Sequence, residues 1–576
     1  MRMIREVRFM FFCGLLTTAG CSASAPHAQR GQASQAVSAA AAPPETLSPA
    51  GKAKLEALLS KGRLEDLQWP NFSEYAAQVR EFYERDGTAL EWTREGKPTQ
   101  QALQLIGELE QADRKGLDSR DYDAGRWAGR LQGLNASGHP AETTLVEFDL
   151  ALTVSGMRYA SDLHLGKIDP RKLHKSFEPD RTEYDLADFL RKRIAVAPDV
   201  GEAFKKIEPP YLEYWRALDA LQKYLKLARD EQRVLLPTVA KPVAPGKPYA
   251  AVPQLVERLK FLGDLPVDTP SAAENGLYEG SVVEGVKHFQ MRHGLDAAGT
   301  LGAQTIAELN RPMSDRVKQL QLALERWRWV PHNFEQPPIV VNIPEFVLRA
   351  YDEERQVRLT MRVVVGRALH TQTPVMEEDM KYVIFWPYWN VPTSIMRHEM
   401  LPKIVKNRAY LQKNGYEVTS YSGQVVTEGV VDDDVLAKLR AAKLMIRQKP
   451  GPKNALGLIK FIFPNDKNVY LHATPAQSLF SQSRRDFSHG CIRVEKPAAL
   501  AEWVLRNNPG WTTERIDTAL AEQKQMQVNL AKTIPVLIVY GTAVVAEDGT
   551  VYFFDDIYGL DKELDNLCCQ AYTADK

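Results

Sequence analysis

The sequence contains little cysteine and carries no net charge. Only five of its 576 residues are cysteine, and 73 Lys and Arg residues balance 73 Asp and Glu residues. A formal charge of zero gives no reason to expect a polyanionic partner such as nucleic acid. The chain is too long for one ordinary core, so we expect three or four domains. Its composition, 44% hydrophobic and 25% charged, is typical of a globular protein.

The N-terminus also lacks an apolar run long enough to span a bilayer. Arg2, Arg5 and Arg8 precede an apolar stretch at residues 9–16, which small residues follow. This order is typical of a bacterial export signal, and we expect a signal peptide at residues 1–21 and a periplasmic location in a Gram-negative-type bacterium. The Thr-Ala-Gly-Cys end resembles a lipobox, which implies a lipid anchor at Cys21. Cleavage after Ala25 is the alternative.

Export changes how the remaining cysteines are interpreted. An oxidising compartment favours disulfides, yet only Cys491, Cys568 and Cys569 follow the signal region. A bridge between the adjacent Cys568 and Cys569 would be strained. Cys491 therefore has no obvious partner, and a free thiol in an exported protein needs a reason. Pairing of Cys491 with the tail is the alternative.

Hydrophobic periodicity divides the chain and predicts a multidomain α+β protein. Apolar residues recur at helical spacing from about residue 50, and the period changes to that of strands beyond residue 336. The hairpin at residues 544–554 is expected to complete the β domain's sheet. The predicted segments are a flexible tether (22–49), a helical scaffold (50–236), a small three-helix bundle (249–312), a mostly β domain (336–545) with a helical capping insertion (394–450), and a C-terminal hairpin and tail (546–576).

The small bundle resembles the peptidoglycan-binding module of cell-wall enzymes. The resemblance is carried by the following residues: Val286, Phe289, Gln290, Gly294, Leu295, Gly299, Gly302, Thr305 and Leu309. Ala298 stands where the module usually has an acidic residue. The resemblance implies binding to peptidoglycan glycan, and the alternative is a bundle with a purely architectural role.

Residues 469–494 hold the strongest chemical signal. Cys491 can attack a carbonyl only as a thiolate, which requires a base, and a histidine suits that task. His489 is two residues away, and His472 ends a predicted strand that would hold its side chain rigidly. Gly490 allows backbone geometry and close substrate approach that a Cβ forbids. The N–H groups around Gly490 and Cys491 are candidates for an oxyanion hole.

His472 followed by Ser488-His489-Gly490-Cys491 resembles the signature of the L,D-transpeptidases (YkuD-type catalytic domain). The sequence resembles the large subfamily of this family, which also has a scaffold and a peptidoglycan-binding module. This further resemblance is carried by residues 389–395, 447–465 and 470–475. The resemblance implies that Cys491 is the nucleophile and His472 its base, and that no cofactor or metal is used. Four residues are expected to support the reaction or its oxyanion: Ser488, His489, Gly490 and Arg493. Tyr470 and Asn454 are expected to bind the substrate by lining or bracing the cleft. Ala473 stands where related sequences often have a polar residue. Alanine is sufficient at this position if a backbone carbonyl, and not a side chain, orients His472.

The reaction implied by the resemblance has two steps. Cys491 attacks the third residue of a tetrapeptide stem and expels D-Ala, and the acyl group then passes to the amine of another stem, giving a 3→3 cross-link. Water as acceptor would make the protein an L,D-carboxypeptidase. We expect the protein to be a monomer. The capping insertion is expected to exclude water from the site, and the resemblance implies that carbapenems trap the Cys491 thiolate.

Three other classes of protein are alternatives for this site. A papain-like peptidase usually has its Cys before its His, the reverse of the order here, and a zinc peptidase needs three fixed ligands and a separate base. A non-catalytic wall-binding protein would not need the intact signature.

Overall fold

The computed structural model describes residues 45–84, 89–135, 139–177, 184–270, 276–368 and 371–572. The expected signal peptide, Cys21 and most of the expected tether lie outside these residues. Within the described ranges, no helix combines the length and the apolar content needed to cross a membrane. The predicted multidomain α+β class is confirmed, with helices in the N-terminal part and a β-rich C-terminal part.

The scaffold region is helical. Its central helix, Glu142–Leu165, is buried on nearly every side, as expected for a helix that other helices surround. The neighbouring helices include amphipathic segments such as Gln100–Glu110. The helices of this region are Pro49–Lys61, Ala76–Glu84, Gln100–Glu110, Trp127–Asn135, Glu142–Leu165, Leu186–Phe189, Val200–Lys205 and Leu212–Asp230.

The bundle helices Val252–Leu262, Ser281–Arg292 and Ala303–Leu309 share a core with the C-terminal hairpin. This hairpin, Ala543–Val545 paired with Val551–Phe553, forms a separate sheet and does not complete the catalytic one, so that expectation is wrong. The alternation of apolar and polar residues predicts that two neighbouring strands pair. It does not show which core, formed by residues distant in the sequence, the hairpin packs against.

The β domain follows the connecting helix Met313–Trp327. Its strands are β1 Ile339–Asn342, β2 Val347–Tyr351, β3 Val357–Gly366, β4 Met376–Phe385, β5 Ile459–Ile462, β6 Leu471–His472, β7 Asp486–Ser488, β8 Ile492–Val494 and β9 Met526–Val539. Their order in the sheet is β7-β3-β8-β6-β5-β4-β9-β1-β2, and β3 also pairs with β2. The sheet therefore closes on itself through β3. Helices Pro497–Leu505 and Thr513–Ala521 complete the domain.

The capping insertion has its own core and its own antiparallel sheet, whereas the sequence indicated helices alone. This sheet begins before the expected bound at residue 394: its strands are Trp389–Asn390, Tyr416–Thr419, Val425–Thr427 and Met445–Gln448. The helical segments are Thr393–Ile395, Met396–Met400, Leu401–Lys406, Tyr410–Lys413 and Asp433–Arg440. The strands were missed because each has only two to four residues, too few for a period to be read.

The expected C-terminal tail contains a helix, Leu560–Gln570. Leu564 is fully buried in the catalytic domain's core, and Leu567 packs against the same core. The C-terminal segment therefore belongs to the folded body of the protein.

Candidate active site

The site is built on the parallel pair β6 and β8. Leu471 is the register partner of Ile492, and both side chains are fully buried in the core. Because side chains alternate along a strand, the residues on either side of these two point to the opposite face. That face carries Tyr470 and His472 from one strand and Cys491 and Arg493 from the other. The strand register thus places the predicted nucleophile and the base favoured from the sequence on one face of the sheet.

Cys491 is a half-buried free thiol. Among the described residues Cys568 and Cys569 are also free, so the alternative pairing with the tail is wrong. The sulfur of Cys491 lies 3.6 Å from the carbonyl oxygen of Asn468. Burial raises the pKa of the thiol, and hydrogen bonds from Tyr470 act in the opposite direction. The resting group is therefore a neutral thiol, which needs a base to become a nucleophile.

The loop before Cys491 is held by hydrogen bonds to its backbone. The Ser488 hydroxyl donates to the Cys491 carbonyl (2.5 Å) and accepts from the Gly490 N–H (3.2 Å). Thr373 donates to the Gly490 carbonyl (2.8 Å), and Thr371 donates to that of Ser488 (3.1 Å). Gly490 has a φ of +112°, a conformation that residues with a Cβ rarely adopt.

These bonds revise the expected oxyanion hole. The Gly490 N–H is engaged by the hydroxyl of Ser488. The N–H of Cys491 donates to no backbone carbonyl within the described ranges, and it remains the candidate donor.

His472 is oriented by a backbone carbonyl. Its Nδ1 lies 2.6 Å from the carbonyl oxygen of Ala473, and because a carbonyl only accepts, Nδ1 carries the proton and Nε2 carries the basic lone pair. A hydrogen bond to the backbone of Leu456 also acts on the ring and, like the bond to Ala473, raises its pKa. Burial, with a contribution from Arg493, lowers the pKa of the imidazole to about 3. The ring is therefore neutral at physiological pH. The side chain at position 473 takes no part in this contact, so alanine serves there.

Tyr470 lies beside both His472 and Lys460. Its ring centroid is 5.8 Å from that of His472, and the Lys460 ammonium lies 3.7 Å from the Tyr470 centroid. Burial raises the pKa of the phenol, and the nearby Cys491 raises it further. Tyr470 therefore forms a neutral wall of the site.

Arg493 lies on the same face as His472, on the neighbouring strand β8. Its Nε is buried and has no hydrogen-bond partner among the described atoms. Burial lowers the pKa of the guanidinium, and Arg367 adds to the effect.

His489 contacts the insertion and does not take part in the His472–Cys491 arrangement described above. Its Nε2 lies 2.6 Å from Glu399 Oε1, and both side chains are about 40% exposed (40% and 43%). Glu399 belongs to the helical turn Met396–Met400 of the capping insertion. The loop that leads to Cys491 is thus linked to the capping insertion through His489.

Asn454 braces the chain and does not offer a free group to a substrate, which revises that part of the prediction. The side chain is 1% exposed. Its amide donates to the carbonyls of Pro387 (3.1 Å) and Lys449 (2.9 Å), and its oxygen accepts from the Leu456 N–H (2.8 Å).

Sequence reasoning missed the residues that reach the site from distant segments: Thr371, Thr373, Glu399, Lys460 and Asn468. The one available signal was the period of two in β5, which places Lys460 on the face opposite the buried Ile459 and Phe461. The described residues hold no cluster of three or more His, Cys, Asp or Glu side chains able to bind a metal ion.

Comparison with known families agrees with this architecture. Residues 337–538 match the model of the L,D-transpeptidase catalytic domain, residues 77–221 match that of the "Scaffold domain", and residues 248–309 match the "Putative peptidoglycan binding domain". The resemblance to the large L,D-transpeptidase subfamily, with its scaffold and peptidoglycan-binding module, is thereby confirmed.

A similar curated protein of Haemophilus influenzae carries the name "Putative L,D-transpeptidase". The two chains are 32% identical over 293 residues, which is 49% of this chain and 57% of the relative. The matched part thus spans a little over half of the relative's length.

Proposed function

We propose that this protein is a peptidoglycan L,D-transpeptidase that forms 3→3 cross-links through a Cys491 acyl-enzyme. The observation that carries the proposal is the free thiol of Cys491 on the same sheet face as His472, whose Nδ1 lies against the Ala473 carbonyl, so that Nε2 carries the basic lone pair. The family matches support the reaction class.

In the first half-reaction, the Cys491 sulfur attacks the carbonyl carbon of the third stem residue. The thiol proton passes to His472 Nε2 as the bond forms, because both groups are neutral at rest. His472 then donates that proton to the departing nitrogen, and D-Ala leaves as the thioester forms. The N–H of Cys491 is the candidate donor to the transient oxyanion.

In the second half-reaction, the side-chain amine of another stem attacks the thioester. His472 removes a proton from the amine, and the Cys491 sulfur leaves and is protonated again. Water in place of the amine would yield a tripeptide, the product of an L,D-carboxypeptidase. The capping insertion, linked to the site through Glu399 and His489, is suited to limit the access of water.

The test is turnover of disaccharide-tetrapeptides followed by mass spectrometry. Wild-type protein should show a thioester adduct on the Cys491 peptide and a 3→3 dimer, whereas Cys491→Ala should show neither while it keeps its folded circular dichroism spectrum. Cys568→Ala, which removes another half-buried thiol, should be as active as wild type. A cross-linked dimer made by Cys491→Ala would refute the mechanism, and tripeptide as the sole product would indicate a carboxypeptidase.

We further propose a periplasmic location, with a lipid anchor at Cys21 and with peptidoglycan bound by residues 248–309. Membrane fractionation of wild type and Cys21→Ala tests the anchor, since the variant should leave the membrane fraction. Pull-down with insoluble peptidoglycan tests the binding.

A further inference from the structure

Lys460, His472 and Arg493 form one row across three neighbouring strands. Lys460 is the register partner of His472 in the pair β5–β6, and His472 is the partner of Arg493 in the pair β6–β8. Register partners project to the same face of a sheet. The imidazole therefore has a cationic side chain on each neighbouring strand.

Neither cation has an acidic partner in the described part of the chain. The groups that act on the Lys460 ammonium and on the Arg493 guanidinium include no carboxylate. Arg493 Nε is buried without an acceptor, and the Lys460 ammonium lies against the Tyr470 ring, 3.7 Å from its centroid. Partly buried cations without a counter-ion are unfavourable, and an anion supplied by a ligand would relieve that penalty.

The proposed reaction indicates which anion this is, and the argument here rests on that proposed function. His472 must reach the nitrogen of the departing D-Ala to protonate it. The carboxylate of that residue is joined to the same nitrogen through a single carbon atom. When His472 contacts the nitrogen, the carboxylate therefore falls among the side chains that flank His472.

We propose that Lys460 and Arg493 form a subsite for the free C-terminal carboxylate of the donor stem peptide. Both provide donors for charge-assisted hydrogen bonds to a carboxylate. The subsite selects stems that end one residue beyond the scissile bond, because a longer stem places an amide where the cations require an anion. It thus specifies the tetrapeptide as donor.

The first test does not depend on peptidoglycan chemistry. Iodoacetate and iodoacetamide both alkylate the Cys491 sulfur with loss of iodide, but only iodoacetate carries a carboxylate. Both rates are followed on the Cys491 peptide by mass spectrometry, and the rate with iodoacetate is divided by the rate with iodoacetamide. This ratio should fall about fivefold or more in Lys460→Met, because the substitution removes a nearby cation that favours the anionic reagent. The matched control is Lys467→Met, which removes a lysine that is ion-paired with Asp466, and it should leave the ratio unchanged.

An unchanged ratio in Lys460→Met overturns the proposal. This includes the case in which both reagents slow equally, which would mean that Lys460 acts on the thiolate alone. Lys460→Gln repeats the loss of charge with a polar side chain, should methionine disturb the fold.

The second test compares a tetrapeptide stem with its C-terminal amide. Wild type should prefer the free acid in kcat/KM by about tenfold to hundredfold, as expected for a hydrogen-bonded charge pair. Lys460→Met should lose most of this preference for the free acid over the amide. Equal use of acid and amide by wild type overturns the subsite. If wild type turns over neither stem, the proposed function fails, and the alkylation ratio still decides the subsite.

Discussion

Gly457→Ala tests whether the backbone behind His472 controls its orientation. Gly457 has a φ of +62°, and a Cβ at this position would lie 2.5 Å from the Ala473 Cβ and 2.8 Å from the Ala473 carbonyl carbon. That carbonyl is the group that holds His472 Nδ1. The substitution therefore pushes against a backbone group that orients the His472 ring.

The expected loss of stability follows from two contributions. A left-handed alanine costs about 1–2 kcal/mol relative to glycine, and overpacking against backbone costs about 1–3 kcal/mol. The sum, about 2–5 kcal/mol, corresponds to a fall in melting temperature of about 5–20 °C for a domain of this size. Displacement of the carbonyl should also lower kcat by about tenfold or more, since catalysis is sensitive to misplacement near 1 Å.

Differential scanning calorimetry and the tetrapeptide assay measure the two effects. The control is Gly451→Ala in the same segment, where an added Cβ meets nothing within 4 Å and φ is not positive. It should match wild type in both measurements. Wild-type stability and wild-type kcat in Gly457→Ala would refute the reasoning.

Two further predictions concern the cap and the titration of the site. Glu399→Gln removes the charged partner of His489, so iodoacetamide should label Cys491 about two- to fivefold faster, as expected for an exposed ion pair, and the proportion of hydrolysed product should rise. Burial raises the pKa of the Cys491 thiol above its ordinary value of 9.0, so labelling should increase with pH through a midpoint above that of a free thiol. Since the pKa of His472 is about 3, kcat/KM should show no acid limb between about pH 5 and 7.

The controls for these predictions lie in the same chain. Glu428→Gln removes a carboxylate of the cap that pairs with Lys449, and it should label at the wild-type rate. Equal labelling of Glu399→Gln and Glu428→Gln would contradict the link between the cap and the site. A kcat/KM inflection between about pH 6 and 7 that persists in His489→Gln would contradict a neutral, buried imidazole at His472.

Much of the architecture could be predicted from local pattern. The change of hydrophobic period beyond residue 336 predicted where the β domain begins, and its first strand starts at Ile339. The strands β7 and β8 were missed because each is three residues long and adjoins the signature loop. The C-terminal helix Leu560–Gln570 was taken for a tail, although its apolar face packs on the catalytic core.

The sequence by itself indicated the class of chemistry that we propose, because a lone cysteine after His-Gly and a strand-end histidine are local features of the chain. Only the tertiary structure decided which groups surround them. The pairing of β5, β6 and β8 aligns Lys460, His472 and Arg493, and the cap brings Glu399 to His489. These contacts join residues that are far apart in the chain. They depend on the register of the sheet and on the packing of the domains, and no local sequence pattern specifies either.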